Sequence, residues 1–324
     1  MNKVFITGAC GFIGSHLSEF LVKNNYEVTA FDRYNTSSDH GHLTNSKFKK
    51  NINFILGDIR DYDSVYKSMK GHDICLHLAA LIGIPYSYES PLAYIRTNIE
   101  GTYNVLESVK NLNLDQAIIT STSETYGSLQ FSPMNEKHPS VGQSPYSASK
   151  IAADNISISY HRSFNLPIKL IRPFNVFGPR QSLRAVIPTI ISQLLSKNEI
   201  KLGNLNVKRD YTYVTDLCHG YEEILNNNIF YGQAINVGTN SNFSVEEIVK
   251  KIAFKLNKKN YKIIKEAKRF RPEKSEVDNL LCDNSFLINN SRWKQKVNFS
   301  DGLDKTIEWL KKYKGLNNTD NYYV

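Results

Sequence analysis

Apolar residues in this chain fall into short runs separated by stretches of helical period. Lys3–Thr7 (KVFIT), Glu27–Phe31, Ile52–Leu56, Asp73–Ala80, Ala117–Thr120 and Ile168–Ile171 read as strands. Between them Ser15–Asn24, Pro91–Lys110 and Pro145–Phe164 repeat apolar positions at helical spacing. Asp73–Ala80 (DICLHLAA) is almost wholly apolar, as a parallel strand covered on both faces must be. Strand and helix alternate, which predicts an α/β protein with a doubly wound parallel sheet. Tyr34–Lys50 and Leu81–Ser90 are polar and read as loops, the first with a short helix. Further on, Ala185–Leu195 reads as a helix and Leu202–Asn206 as an edge turn. No sharp linker or internal repeat interrupts the chain. The expected division is residues 1–175 as the sheet domain and 176–324 as a smaller cap, with some segments returning to the main sheet. The last residues, Gly315–Val324, are expected to fray.

The first strand runs into Gly8-Ala9-Cys10-Gly11-Phe12-Ile13-Gly14, a helix follows, and the second strand ends at Asp32. Glycines let the backbone approach a pyrophosphate, whose charge then sits at the helix N-terminus. An acid about 20 residues further on suits the ribose hydroxyls. The spacing is GxxGxxG rather than GxGxxG, but strand, turn, helix, strand and acid together predict a Rossmann-type dinucleotide fold. Asp32 would repel a 2′-phosphate and so favours NAD over NADP; Arg33 beside it weakens that inference. Asp58 follows the third strand, in the ligand crevice of an open sheet, where its carboxylate suits an adenine amino group. Asp61 or Asp63 is the more natural cap of the next helix. Ala79 and Ala80, small residues ending the fourth strand, would let a cofactor lie close. In the loop after them, Tyr86, Ser87 and Tyr88 are candidates to face a substrate.

The chemistry concentrates in Thr120–Lys150. Thr122-Ser123-Glu124 lies where the fifth strand ends, in the same crevice. Tyr146 and Lys150, at i and i+4, share a helix face. A phenol with its ordinary pKa near about 10 is a poor base, and a neighbouring ammonium is expected to lower that pKa. The same lysine suits a nicotinamide ribose. This set points to oxidation of a hydroxyl with a proton moved nearby.

Bulk numbers constrain the rest. The 324 residues are 41% hydrophobic and 22% charged, an ordinary globular composition. There is no apolar run of about 18 residues, so no membrane span is expected. The N-terminus lacks the pattern of a signal peptide, and Cys10, Cys75, Cys218 and Cys282 are widely spaced, which fits free thiols in a cytoplasmic enzyme with no metal site. The net charge of +9 is concentrated: the window 250–274 holds eleven Lys or Arg against Glu266 and Glu273. A basic stripe can bind nucleic acid. Base-stacking aromatics are sparse there and no nucleic-acid motif is present, so the window reads as a solvated face.

With GACGFIG at 8–14, GDIRD at 57–61, HLAA at 77–80, TNIEGTYNVLE at 97–107, YSASK at 146–150 and RPFNVFGPR at 172–180, residues 1–310 resemble the extended short-chain dehydrogenase/reductases, the nucleotide-sugar epimerases and dehydratases. The triplet Thr122-Ser123-Glu124 resembles that of GDP-mannose 4,6-dehydratases. ALIGIPYSYESP at 80–91, SPYSASKIAAD at 144–154, PRQSLRAVIPTI at 179–190 and FRPEKSEV at 270–277 resemble the N-acetylglucosamine 4,6-dehydratases of legionaminic-acid synthesis. The resemblance implies a cofactor site of Gly8, Gly11, Phe12, Ile13, Gly14, Asp32, Arg33, Asp58, Ile59, Leu78, Ala79, Ala80, Asn98, Thr120, Tyr146 and Lys150. It also implies a nucleotide-sugar site of Tyr86, Ser87, Tyr88, Asn175, Val186, Ile187, Arg209 and Arg271, with Arg269 a weaker third arginine. Arg209 and Arg271 would hold the diphosphate by bidentate pairing. Asp216, in the segment that begins at Arg209, is expected to cap the following helix.

The implied reaction is NAD-dependent. Tyr146 takes the C4 hydroxyl proton, Thr122 orients the C4 oxygen, and Glu124 removes the C5 hydrogen that the C4 ketone acidifies. Water leaves from C6, hydride returns to C6 and a proton goes to C5. The proton donor to the leaving hydroxyl stays open between Glu124, once protonated, and Ser123 acting through water. Glu124 separates a 4,6-dehydratase from a plain 4-epimerase. A UDP-glucuronate decarboxylase shares the triplet but needs an added cation before the tyrosine, and Gly142-Gln143-Ser144-Pro145 supplies none. A non-catalytic dinucleotide-sensing or RNA-binding member of the fold is supported by the basic window alone. A homodimer is expected from the resemblance, through helices Pro91–Lys110 and Tyr146–Phe164.

Overall fold

The computed structural model describes residues 2–313; the segment Gly315–Val324, expected to fray, lies outside them. The strands in chain order are β1 (Lys3–Thr7), β2 (Glu27–Arg33), β3 (Ile52–Gly57), β4 (Ile74–His77), β5 (Gln116–Thr120) and β6 (Ile168–Pro173). They continue as β7 (Asn175–Phe177), β8 (Glu199–Leu202), β9 (Lys208–Tyr213), β10 (Ala234–Val237), β11 (Asn242–Ser244), β12 (Lys262–Lys265) and β13 (Asn279–Leu280). The order β10-β6-β5-β4-β1-β2-β3 makes a seven-stranded sheet, and every pairing in it is parallel. This is the Rossmann-type α/β architecture that the alternating pattern predicts. Winding reverses between β1 and β4, so the ligand crevice lies beyond their C-terminal ends, at Gly8 and Leu78.

Burial on both faces explains the strand composition. Val4, Phe5 and Ile6 are fully buried, as are Ala117, Ile118 and Ile119. Each such large side chain stabilises the fold by about 1.5–3 kcal/mol. The helices include α1 (Phe12–Lys23), α2 (Tyr62–Met69), α3 (Ile84–Glu89), α4 (Pro91–Tyr94), α5 (Gly101–Leu112), α6 (Pro145–Phe164), α7 (Val186–Ser196), α8 (Val214–Leu225) and α9 (Val245–Lys255). Helix α6 begins where its sequence says it should. Ser144 and Ser147 exchange side-chain and backbone hydrogen bonds, Pro145 occupies the first turn, and Asn165 closes the helix in the left-handed conformation at φ 54°.

Two expected elements differ. Leu81–Ser90 is not all loop: α3 forms within it, because Ile84 and Ser87, three apart, both turn inward, and Pro85 suits a helix start. The long helix expected over Pro91–Lys110 passes through a π-helical stretch at Ile95–Glu100, which carries Asn98. Asp61 caps α2 by accepting from the Ser64 N–H. Asp216 does not cap α8. It lies in the helix's first turn, and its carboxylate accepts from the N–H groups of Lys296 and Val297, pinning a segment 80 residues away.

The second half builds on β9, which pairs with β7, β11 and β13, while β12 pairs with β8. Its core holds Ile187, Ile190, Ile191 and Leu194 of α7 against Ile248 and Ile252 of α9. The basic window is not one surface. Lys250 pairs with Glu246, Lys255 with Asp304, and Lys268 and Arg269 with Glu266, while Arg271 turns into the crevice described below. Among the described residues no helix is long and apolar enough to cross a membrane.

Candidate active site

At the end of β1, Gly8 adopts φ +68°, and a Cβ there would lie 2.8 Å from the Ala79 nitrogen. A Cβ on Gly14 would meet the Gly8 oxygen at 2.2 Å. Both positions require glycine for the loop and α1 to pack. Gly11 precedes α1 and has no side chain to cap it, so the first-turn N–H groups of Phe12, Ile13 and Gly14 are left to serve an anion. The Phe12 and Ile13 side chains themselves pack against the two cores. Asp32, at the end of β2, accepts from the Cys10 N–H at 2.7 Å and from the Arg33 N–H at 2.7 Å. Its carboxylate thus holds the glycine loop and stands where a ribose would. Asp58 is chelated by Arg60, whose guanidinium keeps its carboxyl below the usual range. The Ile59 side chain lies in the core beside Gly101, so only its backbone is left for a cofactor.

The loop after β4 is fixed by His77. The Thr7 hydroxyl donates to His77 Nδ1 at 2.7 Å, while Thr7 Oγ1 accepts from the N–H groups of Leu78 and Ala79. The Thr102 hydroxyl donates to the Asn98 carbonyl, so Thr102 Oγ1 accepts from His77 Nε2 at 3.1 Å. This network assigns a neutral imidazole. Burial first, and the Lys150 charge second, push the His77 pKa down to about 3. The unfolded chain protonates this group below about 6.5 and the folded one does not, so His77 costs stability as pH falls from that value toward about 3. Urea unfolding midpoints should therefore fall less between pH 7 and pH 4 in His77→Gln than in the parent; equal slopes would refute the assignment.

Asn98 is a clamp. It is buried, accepts from the Leu81 N–H, and donates to the Leu81 carbonyl and to Ser149 Oγ. Its amide positions the loop and α6. Ser87 is fully buried and donates to the Ile84 carbonyl. Tyr86 is exposed, and Tyr88 shares a hydrogen bond with Ser275 across the crevice. Ile187 is 1% exposed because α7 turns that position into the core, so it presents no surface to a nucleotide base. Val186 is only partly buried, and Asn175 begins β7.

Glu124 is held at the end of β5 by a short helical turn. Thr122 accepts from the Glu124 N–H at 3.3 Å, and Thr125 donates back to the Thr122 carbonyl. Thr120 bonds the Tyr221 hydroxyl through its own. Ser123 is buried. Tyr146 is 7% exposed and packs with Ile84 and edge-on to Tyr94. Burial pushes its hydroxyl pKa up, a hydrogen bond with Thr122 pulls the other way, and the Glu124 charge adds to the rise. The expected lowering by Lys150 is not what acts here. The Lys150 ammonium donates to the Thr120 carbonyl at 2.6 Å, and burial lowers its own pKa.

Across the crevice, Arg209 and Arg271 converge. Glu124 lies 4.0 Å from Arg209 Nε and 3.6 Å from Arg271 Nη1. Glu276 lies 3.6 Å from Arg209 Nη2 and 3.7 Å from Arg271 Nη1. Arg271 Nη1 is buried without a hydrogen-bond partner among the described residues, which fits a site that takes an acceptor such as a phosphate oxygen. Arg269 pairs instead with Glu266. Sequence reasoning missed Glu276, which sits in a polar stretch without periodicity. It also missed Asp154, although position i+4 from Lys150 was a readable signal.

A glycine-loop dinucleotide cradle joined to a buried Tyr-Lys pair defines an extended short-chain dehydrogenase/reductase. The model of the GDP-mannose 4,6 dehydratase family matches residues 5–306, and the chain belongs to that family. The putative UDP-glucose 4-epimerase of Methanocaldococcus jannaschii is 30% identical over 95% of this chain and 98% of its own. The dTDP-D-glucose 4,6-dehydratase of Dictyostelium discoideum is 28% identical over all of this chain and 83% of its own. A crystal structure of the dTDP-glucose 4,6-dehydratase of Streptomyces venezuelae with NAD and TYD bound has a TM-score of 0.88 at 25% identity, covering 97% of this chain and 98% of that one. The relatives thus include both nucleotide-sugar dehydratases and epimerases.

Proposed function

We propose that this protein is an NAD-dependent 4,6-dehydratase of an NDP-N-acetylglucosamine, UDP- or GDP-linked, forming the 4-keto-6-deoxy sugar. The observation that carries the reading is Glu124, a carboxylate fixed in the crevice on the same side as Tyr146. A 4-epimerase needs no base for C5; a dehydratase does. The N-acetylglucosamine assignment rests on the sequence resemblance alone.

NAD, when bound, supplies the acceptor of the C4 hydride and its return donor at C6. Its pyrophosphate fits the first-turn N–H groups of α1, and its ribose fits Asp32, whose charge disfavours a 2′-phosphate. Tyr146 takes the C4 hydroxyl proton with Thr122 as its hydrogen-bond partner. Glu124 then takes the C5 proton. In its protonated form Glu124 is also the acid nearest to hand for the departing C6 hydroxyl, since a serine at 123 is a weak acid. Arg209 and Arg271 hold the diphosphate, and Tyr86 and Val186 line its approach. The first 175 residues carry the cofactor, and those from 176 onward chiefly carry the nucleotide sugar. Exposed Leu92, Ile95, Tyr103 and Phe164 on the outer helices are the apolar face we assign to a homodimer.

Incubation with UDP-GlcNAc and with GDP-GlcNAc, followed by mass spectrometry, should show loss of one water from one of them without added reductant. Loss of carbon dioxide from UDP-glucuronate, with neither amino sugar dehydrated, would favour the decarboxylase reading.

A further inference from the structure

The crevice is backed by a buried charge chain that the mechanism above does not use. Tyr146, Lys150 and Asp154 follow one another at four-residue steps along α6, so they stack on one face. Asp154 is 3% exposed. Its Oδ2 accepts from the Ser121 hydroxyl at 2.6 Å and from Arg172 Nε and Nη2 at 3.2 and 2.9 Å. Its Oδ1 is buried and without a hydrogen-bond partner among the described residues. Arg172, on β6, passes the network on to Tyr126 and from there to Asn236 on β10. The Lys150 ammonium bonds the carbonyl of Thr120, the residue just before Ser121.

We infer that Asp154 is a positioning residue for Lys150: it fixes the strand end that receives the ammonium and, one helical turn away on the same buried face, supplies the opposite charge that keeps the ammonium charged inside the protein. Oδ2 takes hydrogen bonds from Ser121 and Arg172, so it anchors β5 and β6 to α6. A buried ammonium without such a partner tends to lose its proton. The groups facing Lys150 are Tyr146 and Asp154 on its own helix, His77 on β4, and Arg172 behind Asp154. His77 is neutral, so the opposing charge is that of Asp154, which is itself paired with Arg172. Burial lowers the Lys150 pKa and Asp154 opposes the fall, in keeping with this arrangement.

The inference rests on the reading of Lys150 as the partner of a nicotinamide ribose, but its test does not require turnover. Nitrogen-15 NMR of labelled lysine Nζ, with the Lys150 resonance assigned from Lys150→Met, reports its titration directly. Asp154→Asn should move that titration down by about one pH unit or more. Arg172→Gln, which removes the like charge and keeps the carboxylate, should move it up. The alkaline limb of dehydration should shift in the same two directions, with the KM for the nucleotide sugar little changed. A merely structural Asp154 would leave the titration in place and lower the rate equally at every pH. If Asp154→Asn does not fold, Arg172→Gln decides: an upward shift sustains the inference, and an unchanged or lowered titration overturns it. A correct shift in the NMR titration without dehydration of any nucleotide sugar would retain Asp154's role and refute the proposed reaction.

Discussion

Glu124→Gln should oxidise C4 and stop there. Reduced nicotinamide should build up toward the enzyme concentration on mixing with substrate, while water loss falls by about 10²–10⁴-fold, the usual worth of a positioned base. The amide keeps the size of the carboxylate and the backbone bond from Glu124 N–H to Thr122, so the turn at 123–126 should persist. What disappears is the proton acceptor, together with the ion pairs to Arg209 and Arg271. Nucleotide affinity is therefore expected to change as well, and the reduced-cofactor signal separates that effect from the chemistry. If the variant dehydrates at the parent rate, Glu124 is not the base.

Tyr146→Phe should abolish the earlier step. The ring would still pack on Ile84 and Tyr94, so the fold and the KM for the nucleotide sugar should hold. The rate should fall by about 10²–10⁴-fold, and no reduced cofactor should accumulate, even when Glu124→Gln is added. The buried phenol has its pKa pushed up, with the Thr122 hydrogen bond opposing. A bound oxidised cofactor would bring positive charge that favours its deprotonation. Accumulation of reduced cofactor in Tyr146→Phe would show that another group takes the C4 proton.

The two variants probe parts of the molecule that were unequally legible in the sequence. Helix α6 could be placed to the residue because Ser144, Pro145 and Asn165 are local signals, and its phase then put Tyr146 and Lys150 on one face. The parallel sheet was legible for the same reason: strands buried on both faces leave apolar runs. Features that depend on distant partners were not. Asp216 looks like a helix cap, but its acceptor role is spent on Lys296 and Val297. Asn98 and Ser87 sit in motifs that suggest ligand contact, yet their hydrogen bonds are closed within the protein. Glu276 joins the arginines only because the segment around β13 returns to β9. The direction in which Tyr146 titrates depends on burial and on where the lysine points, and spacing along a helix encodes neither.

In the proposed reaction C4 is oxidised so that C6 can lose its hydroxyl and receive the same hydrogen. Substrate deuterated at C4, turned over in ordinary water and read by NMR, tests this in one measurement. The deuterium should move to the new C6 methyl group within one enzyme molecule, without washing out into solvent. Deuterium retained at C4 of a sugar that still carries its C6 hydroxyl would identify an epimerase and contradict the assignment.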